Sequence, residues 1–216
     1  MLFLESSHPR EVREIFSWGV VAGVTTDPLL ITRELGNADL GDCIKQILAV
    51  STGHVTVELT SETFDQMLGE AQSYHAWDRE RICVAVPFGE TGLKVLHRLG
   101  AQGIPTAATC MMNFGQLYLA ALAGATYLGI LSGRVRDLGY DVRPVVRETR
   151  ALLDRERLSS KLLVGSIRQA TDVREALEDG AHIVTVPPPI LRKMLWNPST
   201  ESTIREFNEA WKQRGE

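Results

Sequence analysis

The sequence has no long hydrophobic run. Its apolar stretches are short, as in Val20–Val24 and Leu162–Val164, and none approaches the ~20 residues that a helix needs to cross a bilayer. The first ten residues lack a basic segment followed by a long apolar one, so we predict no signal peptide. These absences indicate a protein with no membrane partner.

Cysteine and histidine motifs and basic runs are also missing. Cys43, Cys83 and Cys110 are odd in number and lack metal-ligand spacing, which predicts buried free thiols in a reducing cytoplasm. The five histidines form no HxH or HExxH pattern, so we predict no bound metal. Acidic and basic residues are interleaved around a net charge of −4, which argues against a nucleic-acid partner.

What the chain does contain is an alternation of β-rich and helical segments. Of its 216 residues, 44% are apolar, ample for one core. Eight runs are predicted strands, and most are continuously apolar, as parallel strands buried on both faces are. They are Leu2–Glu5, Val20–Thr25, Val55–Leu59, Ile82–Val86, Thr106–Thr109, Tyr127–Leu131, Leu162–Ser166 and Ile183–Val186.

Eight strand-helix units predict an α/β fold, a single (β/α)8 TIM barrel over residues 1–216, with a doubly wound open sheet as the structural alternative. Pro198–Lys212 adds a C-terminal extra helix, on which Ile204, Phe207 and Trp211 fall on one stripe. That helix could cover its own barrel or pack on a neighbouring subunit.

Three carboxylates follow consecutive early strands, where a barrel of this kind places its chemistry. Glu5 ends the first strand, Asp27 follows the second and Glu58 ends the third. Carboxylates there suit proton transfer to hydroxyls and carbonyls. Glu58 could instead be a rim carboxylate in water, and Asp27, which precedes Pro28, could simply cap the second helix.

Two arginines and a serine follow the late strands. Arg134 comes after strand six, and Ser166 and Arg168 come after strand seven. The fixed fork of arginine together with a hydroxyl suits a phosphate dianion. Either arginine could instead pair with a surface acid such as Asp137 or Asp172.

These residues resemble a known family. Val20–Pro28, VVAGVTTDP, is similar to the GVTTNPS signature of transaldolases and fructose-6-phosphate aldolases, and Gly103–Thr109 with Gln116 and Ala120–Ala125 is similar to their fifth strand and helix. The resemblance covers essentially the whole chain and is strongest to the small-subunit branch. It implies Schiff-base transfer of a three-carbon dihydroxyacetone unit between phosphorylated sugars, without a cofactor, by a homo-oligomer.

The resemblance also implies roles for single residues. Arg134 stands at the family's phosphate-binding arginine, and Ser166 and Arg168 resemble the serine and basic residue that complete that site. Thr25, within the signature, is assigned to substrate binding.

The residues of the acid/base apparatus resemble those of the transaldolases. In that group a glutamate at the position of Glu58, with a threonine at Thr109, holds a catalytic water. The fructose-6-phosphate aldolases carry glutamine there and use a tyrosine where this chain has Leu131.

The chain departs from the family pattern at its central residue. Where the family's fourth strand reads VKVP, Val84–Pro87 reads VAVP, so Ala85 occupies the position of the Schiff-base lysine. Alanine has no amine with which to form that intermediate. Of the five lysines, four lie in predicted helices or at their ends, and Lys161 begins strand seven at the opposite end of the barrel.

Two smaller departures accompany this one. Glu5 stands where the family usually has aspartate, and Asp27 where it usually has asparagine. The first adds a methylene, and the second replaces an amide donor by a carboxylate that, when ionised, cannot donate.

Ala85 permits several interpretations. It could be an inactivating substitution of lysine in a transaldolase-like enzyme, or a product of natural divergence. A diverged chain could be a sugar-phosphate-binding pseudoenzyme, or a lyase or isomerase that uses Glu58 and Asp27 without a covalent intermediate. We expect the chain, as given, to bind sugar phosphate more readily than it transforms it.

Overall fold

The computed structural model describes residues 1–36 and 38–214. Eight parallel strands pair in chain order and close into a barrel, with the eighth paired to the first. This confirms the predicted TIM barrel and excludes the open sheet. The strands are β1 Leu2–Glu5, β2 Val24–Thr25, β3 Val55–Glu58, β4 Ile82–Pro87, β5 Thr106–Met111, β6 Tyr127–Leu131, β7 Lys161–Gly165 and β8 Ile183–Val186.

Helices follow each strand on the outside of the barrel. They are α1 Pro9–Phe16, α2 Pro28–Leu35, α3 Leu40–Val50, α4 Phe64–His75, α5 Glu90–Ala101, α6 Phe114–Leu122, α7 Ser132–Asp137, α8 Arg143–Arg155, α9 Ala170–Glu178, α10 Pro188–Leu195 and α11 Pro198–Gln213. Local signals fix several starts: Asn113 caps α6, and Gln169 and Asp172 form a capping box on α9.

The second strand is shorter than predicted. The sequence predicts Val20–Thr25, whereas β2 spans Val24–Thr25. A Cβ on Gly23 would lie 2.7 Å from the Phe3 ring and 2.9 Å from the His54 carbonyl oxygen. The backbone at Gly23 therefore passes close to these neighbours, and the regular strand begins only at Val24. The Leu4 amide still donates to the Gly23 carbonyl (2.9 Å).

Side chains alternate along each strand between two separate cores. The outward ones, such as Val57, Val84 and Leu128, are fully buried against the helices. The inward ones fill the axis of the barrel and form their own cluster. That inner cluster is Phe3, Cys83, Ala85, Ala107, Tyr127, Leu163 and Ile183.

The lower part of the barrel is closed by Tyr127. Its ring packs edge-on against Phe3, with centroids 5.8 Å apart, and its hydroxyl lies 2.7 Å from Nδ1 of His54, which directly precedes β3. Because this end is filled, the interior can open only at the carboxyl ends of the strands.

The C-terminal helix α11 has no buried residue. The predicted helix is confirmed, and its apolar stripe, Ile204, Phe207 and Trp211, remains exposed to the extent of 53%, 70% and 71%. It therefore does not cover its own barrel, one of the two arrangements that the sequence left open. Among the described residues, no helix combines the length and apolar character that a membrane span needs.

Candidate active site

A cavity of about 490 Å³ opens where the carboxyl ends of the strands converge. Its size falls in the range of small-molecule sites, roughly 300–1,000 Å³. Most of the residues predicted from the sequence line it. These are Glu5, Thr25, Asp27, Glu58, Thr109, Arg134 and Ser166.

Glu5 and Glu58 are partly buried carboxyls with raised pKa values. Burial, with the charges of Asp27 and Glu34, raises the pKa of Glu5 to about 7, against the opposing charge of Arg33. Burial likewise raises the pKa of Glu58, while the nearby Thr109 hydroxyl and Cys110 thiol oppose the shift. Glu5 can therefore exist in both protonation states near neutral pH, as a general acid or base must.

Asp27 has two structural roles. Its Oδ1 accepts a hydrogen bond from the Leu30 amide (2.9 Å), so it caps α2, and it also lines the cavity. The cap uses Oδ1, which leaves Oδ2 able to face a ligand. Glu5, Asp27 and Glu58 together form what we term the acid side of the cavity.

Thr109 carries a buried hydroxyl that has no hydrogen-bond partner among the described residues. It lies on the acid side, close enough to Glu58 to influence that carboxyl's pKa. An unsatisfied buried hydroxyl costs about 1–3 kcal/mol. The chain irregularity beside it, with Cys110 at φ +59°, presents the Cys110 sulfur 3.7 Å from Oε1 of Glu58. Thr109 thus places a hydroxyl without a well-aligned hydrogen bond next to the Glu58 carboxyl, which it is near enough to stabilise in the ionised form.

Ala85 lies deep in the interior, 1% exposed, and unlike the other acid-side predictions it is not among the residues that line the cavity. In the barrel it is paired with Glu58 on one side and with Ala107 on the other. A longer side chain at this position would therefore extend beside Glu58. Among the described residues that line the cavity there is no lysine. Lys161 begins β7, and the other four lysines lie on α3, α5, α10 and α11.

Arg134 and Ser166 form what we term the basic side. Arg134 lies on α7 and is exposed, and the described residues include no carboxylate within 4 Å of its guanidinium. Ser166 follows β7 with a left-handed backbone, φ +60°. The two come from neighbouring strand ends, opposite β2.

The structure places Arg168 elsewhere. Its guanidinium pairs with both carboxylate oxygens of Asp137, which is the surface pairing that the sequence left open, and it does not line the cavity. Asp172 accepts from the Arg168 backbone amide (2.9 Å) and pairs with Arg136. Arg168 thus borders the basic side without entering the cavity.

Several lining residues were missed by the sequence reasoning. Thr56 and Thr185 lie on inward strand positions, and Thr185 Oγ1 is 2.5 Å from Thr25 Oγ1. The alternation of strand residues could have found both. Tyr127 and Arg33 also line the cavity, and only the fold places them there. In the part of the chain that the structure describes, no group of three His, Cys, Asp or Glu side chains is arranged to hold a metal ion.

Comparison with solved structures adds support for the fold. A mandelate oxidase variant aligns with a TM-score of 0.61 at 18% identity, over 87% of this chain and 64% of that one. An inosine 5′-monophosphate dehydrogenase from Legionella pneumophila aligns with a TM-score of 0.61 at 14% identity, over 88% of this chain and 58% of that one. At such identities the likeness concerns the barrel alone.

Comparison of sequences gives the family. The family Transaldolase/Fructose-6-phosphate aldolase matches residues 2–215. A probable transaldolase of Thermoplasma acidophilum is 35% identical over 98% of this chain and 95% of its own length, and one of Symbiobacterium thermophilum is 33% identical over 97% and 96%. This chain therefore belongs to the transaldolase/fructose-6-phosphate aldolase family.

Proposed function

We propose that the chain binds a phosphorylated ketose in this cavity and, as it stands, does not carry the sugar through Schiff-base transfer. One observation carries the proposal: the acid side and the basic side both line the cavity, while the buried residue of β4 that pairs with Glu58 is Ala85. A methyl group cannot attack a carbonyl, so the chain keeps the groups that bind the sugar phosphate but cannot form the Schiff base.

A lysine at position 85 would complete the reaction of a transaldolase. It would attack the ketose carbonyl, and Glu58, through a water near Thr109, would move protons as the carbinolamine forms and loses water. Glu5 or Asp27 would take the proton of the C4 hydroxyl as the C3–C4 bond breaks. The raised pKa of Glu58 and the partnerless Thr109 hydroxyl support these roles. No cofactor is needed, because the protonated imine accepts the electron pair.

The phosphate would bind on the basic side. Arg134 and Ser166 supply a guanidinium and a hydroxyl at the cavity wall, which suit a phosphate dianion. Arg168 would join them on leaving Asp137. The donor would be a ketose phosphate and the acceptor an aldose phosphate.

The test is to restore the amine. Ala85→Lys, incubated with fructose 6-phosphate and borohydride, should gain the mass of a reduced sugar adduct, and it should transfer a three-carbon unit to an aldose phosphate. Ala85→Met, similar in length but without an amine, is the matched control. Folded Ala85→Lys protein that gains no mass would contradict the proposed chemistry while leaving binding to be measured separately.

A second candidate function is non-covalent acid/base chemistry by the chain as given, as in a lyase or isomerase. The observation that favours it is the pKa of Glu5, about 7, next to the carboxylates of Asp27 and Glu58. This candidate requires turnover of a sugar phosphate by the unaltered chain, abolished in Glu58→Gln. If the unaltered chain binds the sugar and leaves it unchanged, the first proposal stands and this one fails.

We also propose that the protein is a cytoplasmic homo-oligomer in which α11 packs on a neighbouring subunit. The exposed stripe of Ile204, Phe207 and Trp211 supports this, because a helix that buries nothing in its own subunit gains little from being formed alone. Cys43 and Cys83 are buried as predicted, whereas Cys110 is exposed; all three are free thiols, which supports a reducing compartment. Light scattering should show an oligomer that Phe207→Glu with Trp211→Glu dissociates.

A further inference from the structure

Arg168 stands at the edge of the basic side rather than within it. A Cβ on Gly133 would lie 2.7 Å from Ser166 Oγ and 2.8 Å from Arg168 Nε. The serine hydroxyl and the arginine side chain therefore pass the same point at the start of α7. The guanidinium is next to the proposed phosphate position but is turned away from the cavity.

What turns it away is Asp137, the last residue of α7. Both carboxylate oxygens of Asp137 accept hydrogen bonds from the two terminal nitrogens of Arg168. The two side chains are about half exposed, at 52% and 51%. A bidentate pair of this kind is well oriented but, in contact with water, only moderately strong.

Asp137 also acts on the other arginine. Its pKa is held below the ordinary value mainly by the hydrogen bonds from Arg168, with a further contribution from the charge of Arg134. The carboxylate is thus a fixed negative charge in the field of both arginines. A phosphate dianion on the basic side would meet that charge and would compete with it for Arg168.

We propose that Asp137 is a specificity-determining residue, an internal competitor that holds Arg168 until a phosphate group displaces it. The proposal rests on the proposed function, in which a ketose phosphate occupies the cavity. On binding, Arg168 exchanges the carboxylate of Asp137 for the phosphate oxygens. Ligands without a phosphate cannot replace the carboxylate of Asp137, so the Arg168–Asp137 ion pair remains formed.

Isothermal titration with fructose 6-phosphate and with fructose tests this on the folded protein. Asp137→Asn should bind fructose 6-phosphate about 3- to 10-fold more tightly, the range expected from removing a half-exposed competing pair, with no change for fructose. In an Arg168→Gln background the same substitution should give a gain of about 2-fold or less, because the competitor has lost its target. Glu178→Gln, which removes an equal charge from an exposed pair on α9, should change neither affinity.

Each other outcome decides against the inference. If Asp137→Asn binds equally or more weakly, Asp137 positions Arg168 rather than competing for it, and the inference falls while the proposed function stands. An equal gain with and without Arg168 would mean direct repulsion, which also overturns it. If neither the parent nor Asp137→Asn binds the phosphorylated sugar, the inference and the proposed function both fail. Asp137→Ser is the second variant should Asp137→Asn not fold.

Discussion

The acid side and the basic side of the cavity differ in how deeply their charges are buried. Glu5 and Glu58 are desolvated enough for their pKa values to rise, Glu5 to about 7. Arg134 and Arg168 are exposed to solvent. Burial costs stability but brings a carboxyl into the range where it can exchange protons near neutral pH. Exposure leaves the arginines as fixed cations that attract an anion over a distance.

The difference separates two tasks that a sugar-phosphate site must perform. The basic side can supply affinity and the acid side reactivity, because a charge in water binds a dianion without taking part in proton transfer. Position 85 is buried beside the acid side, where it pairs with Glu58. The absence of a lysine at this position should therefore abolish the Schiff-base reaction and leave the affinity for the sugar phosphate intact.

The largest expected effect is on the basic side. Arg134→Gln should weaken fructose 6-phosphate binding about 10- to 100-fold, because it removes a charge-assisted hydrogen bond to the phosphate. Fructose binding should change little. Titration calorimetry at low and high KCl measures both, and the parent should lose affinity with salt more steeply than the variant.

Arg33 provides the matched control for that experiment. It also lines the cavity but belongs to the acid side, where its charge opposes the rise in the pKa of Glu5. Arg33→Gln should change the affinity for fructose 6-phosphate by about 3-fold or less, as expected for an exposed charge without a direct phosphate contact. Equal losses in the two variants would break the proposed division of the cavity.

On the acid side the expected effect is on stability. The pKa of Glu5 is about 7 in the folded state, above the ordinary value of 4.5 that applies to the unfolded chain. The folded state therefore binds this proton more tightly than the unfolded state does. The contribution of Glu5 to stability is then highest below pH 4.5, falls as pH rises from 4.5 to 7, and stays lower above. Glu5→Gln removes this loss, so at pH 8 it should be more stable than the parent by about 1–3 kcal/mol.

Denaturant unfolding at pH 5 and pH 8 measures this difference. The advantage of Glu5→Gln over the parent should be larger at pH 8 than at pH 5. Glu62→Gln, at an exposed position, should show no such pH dependence. A constant difference between the two pH values would mean that Glu5 titrates at its ordinary pKa and that the acid side is not desolvated.

The barrel could be predicted because most of the strands are apolar runs of the right length, as parallel strands buried on both faces are. The error at β2 has a tertiary cause: Gly23 must pass the Phe3 ring and the His54 carbonyl oxygen, residues distant in sequence. In the same way, strand ends placed Glu5, Asp27, Glu58 and Thr109 at the cavity because the carboxyl ends of barrel strands converge.

Side-chain direction was harder to predict than position. Arg168 follows Ser166 at a strand end, yet the left-handed backbone of Ser166 and the carboxylate of Asp137 turn it out of the cavity. Tyr127 begins its strand far from the convergent ends, but its ring is long enough to reach the cavity from below. Neither fact is local in sequence.

The smallest expected effect compares two ends of one strand. Thr106 and Thr109, both on β5, have buried hydroxyls without partners among the described residues, but only Thr109 lines the cavity. Thr106→Val and Thr109→Val should each leave stability unchanged or raise it by about 0–1 kcal/mol, because each removes an unsatisfied polar group while preserving shape.

The two variants should differ in chemistry alone. Introduced into Ala85→Lys, Thr109→Val should slow adduct formation with fructose 6-phosphate about 10-fold, less than the ~10²-fold or more that a lost general acid or base costs, because Thr109 only helps to hold the water. Thr106→Val should leave the rate unchanged. Quenched-flow mass analysis gives both rates. Equal slowing would indicate that β5 tolerates neither valine and that the Thr109 hydroxyl has no special role. A difference confined to Thr109 would show that its hydroxyl, unsatisfied without ligand, is used when the sugar is bound.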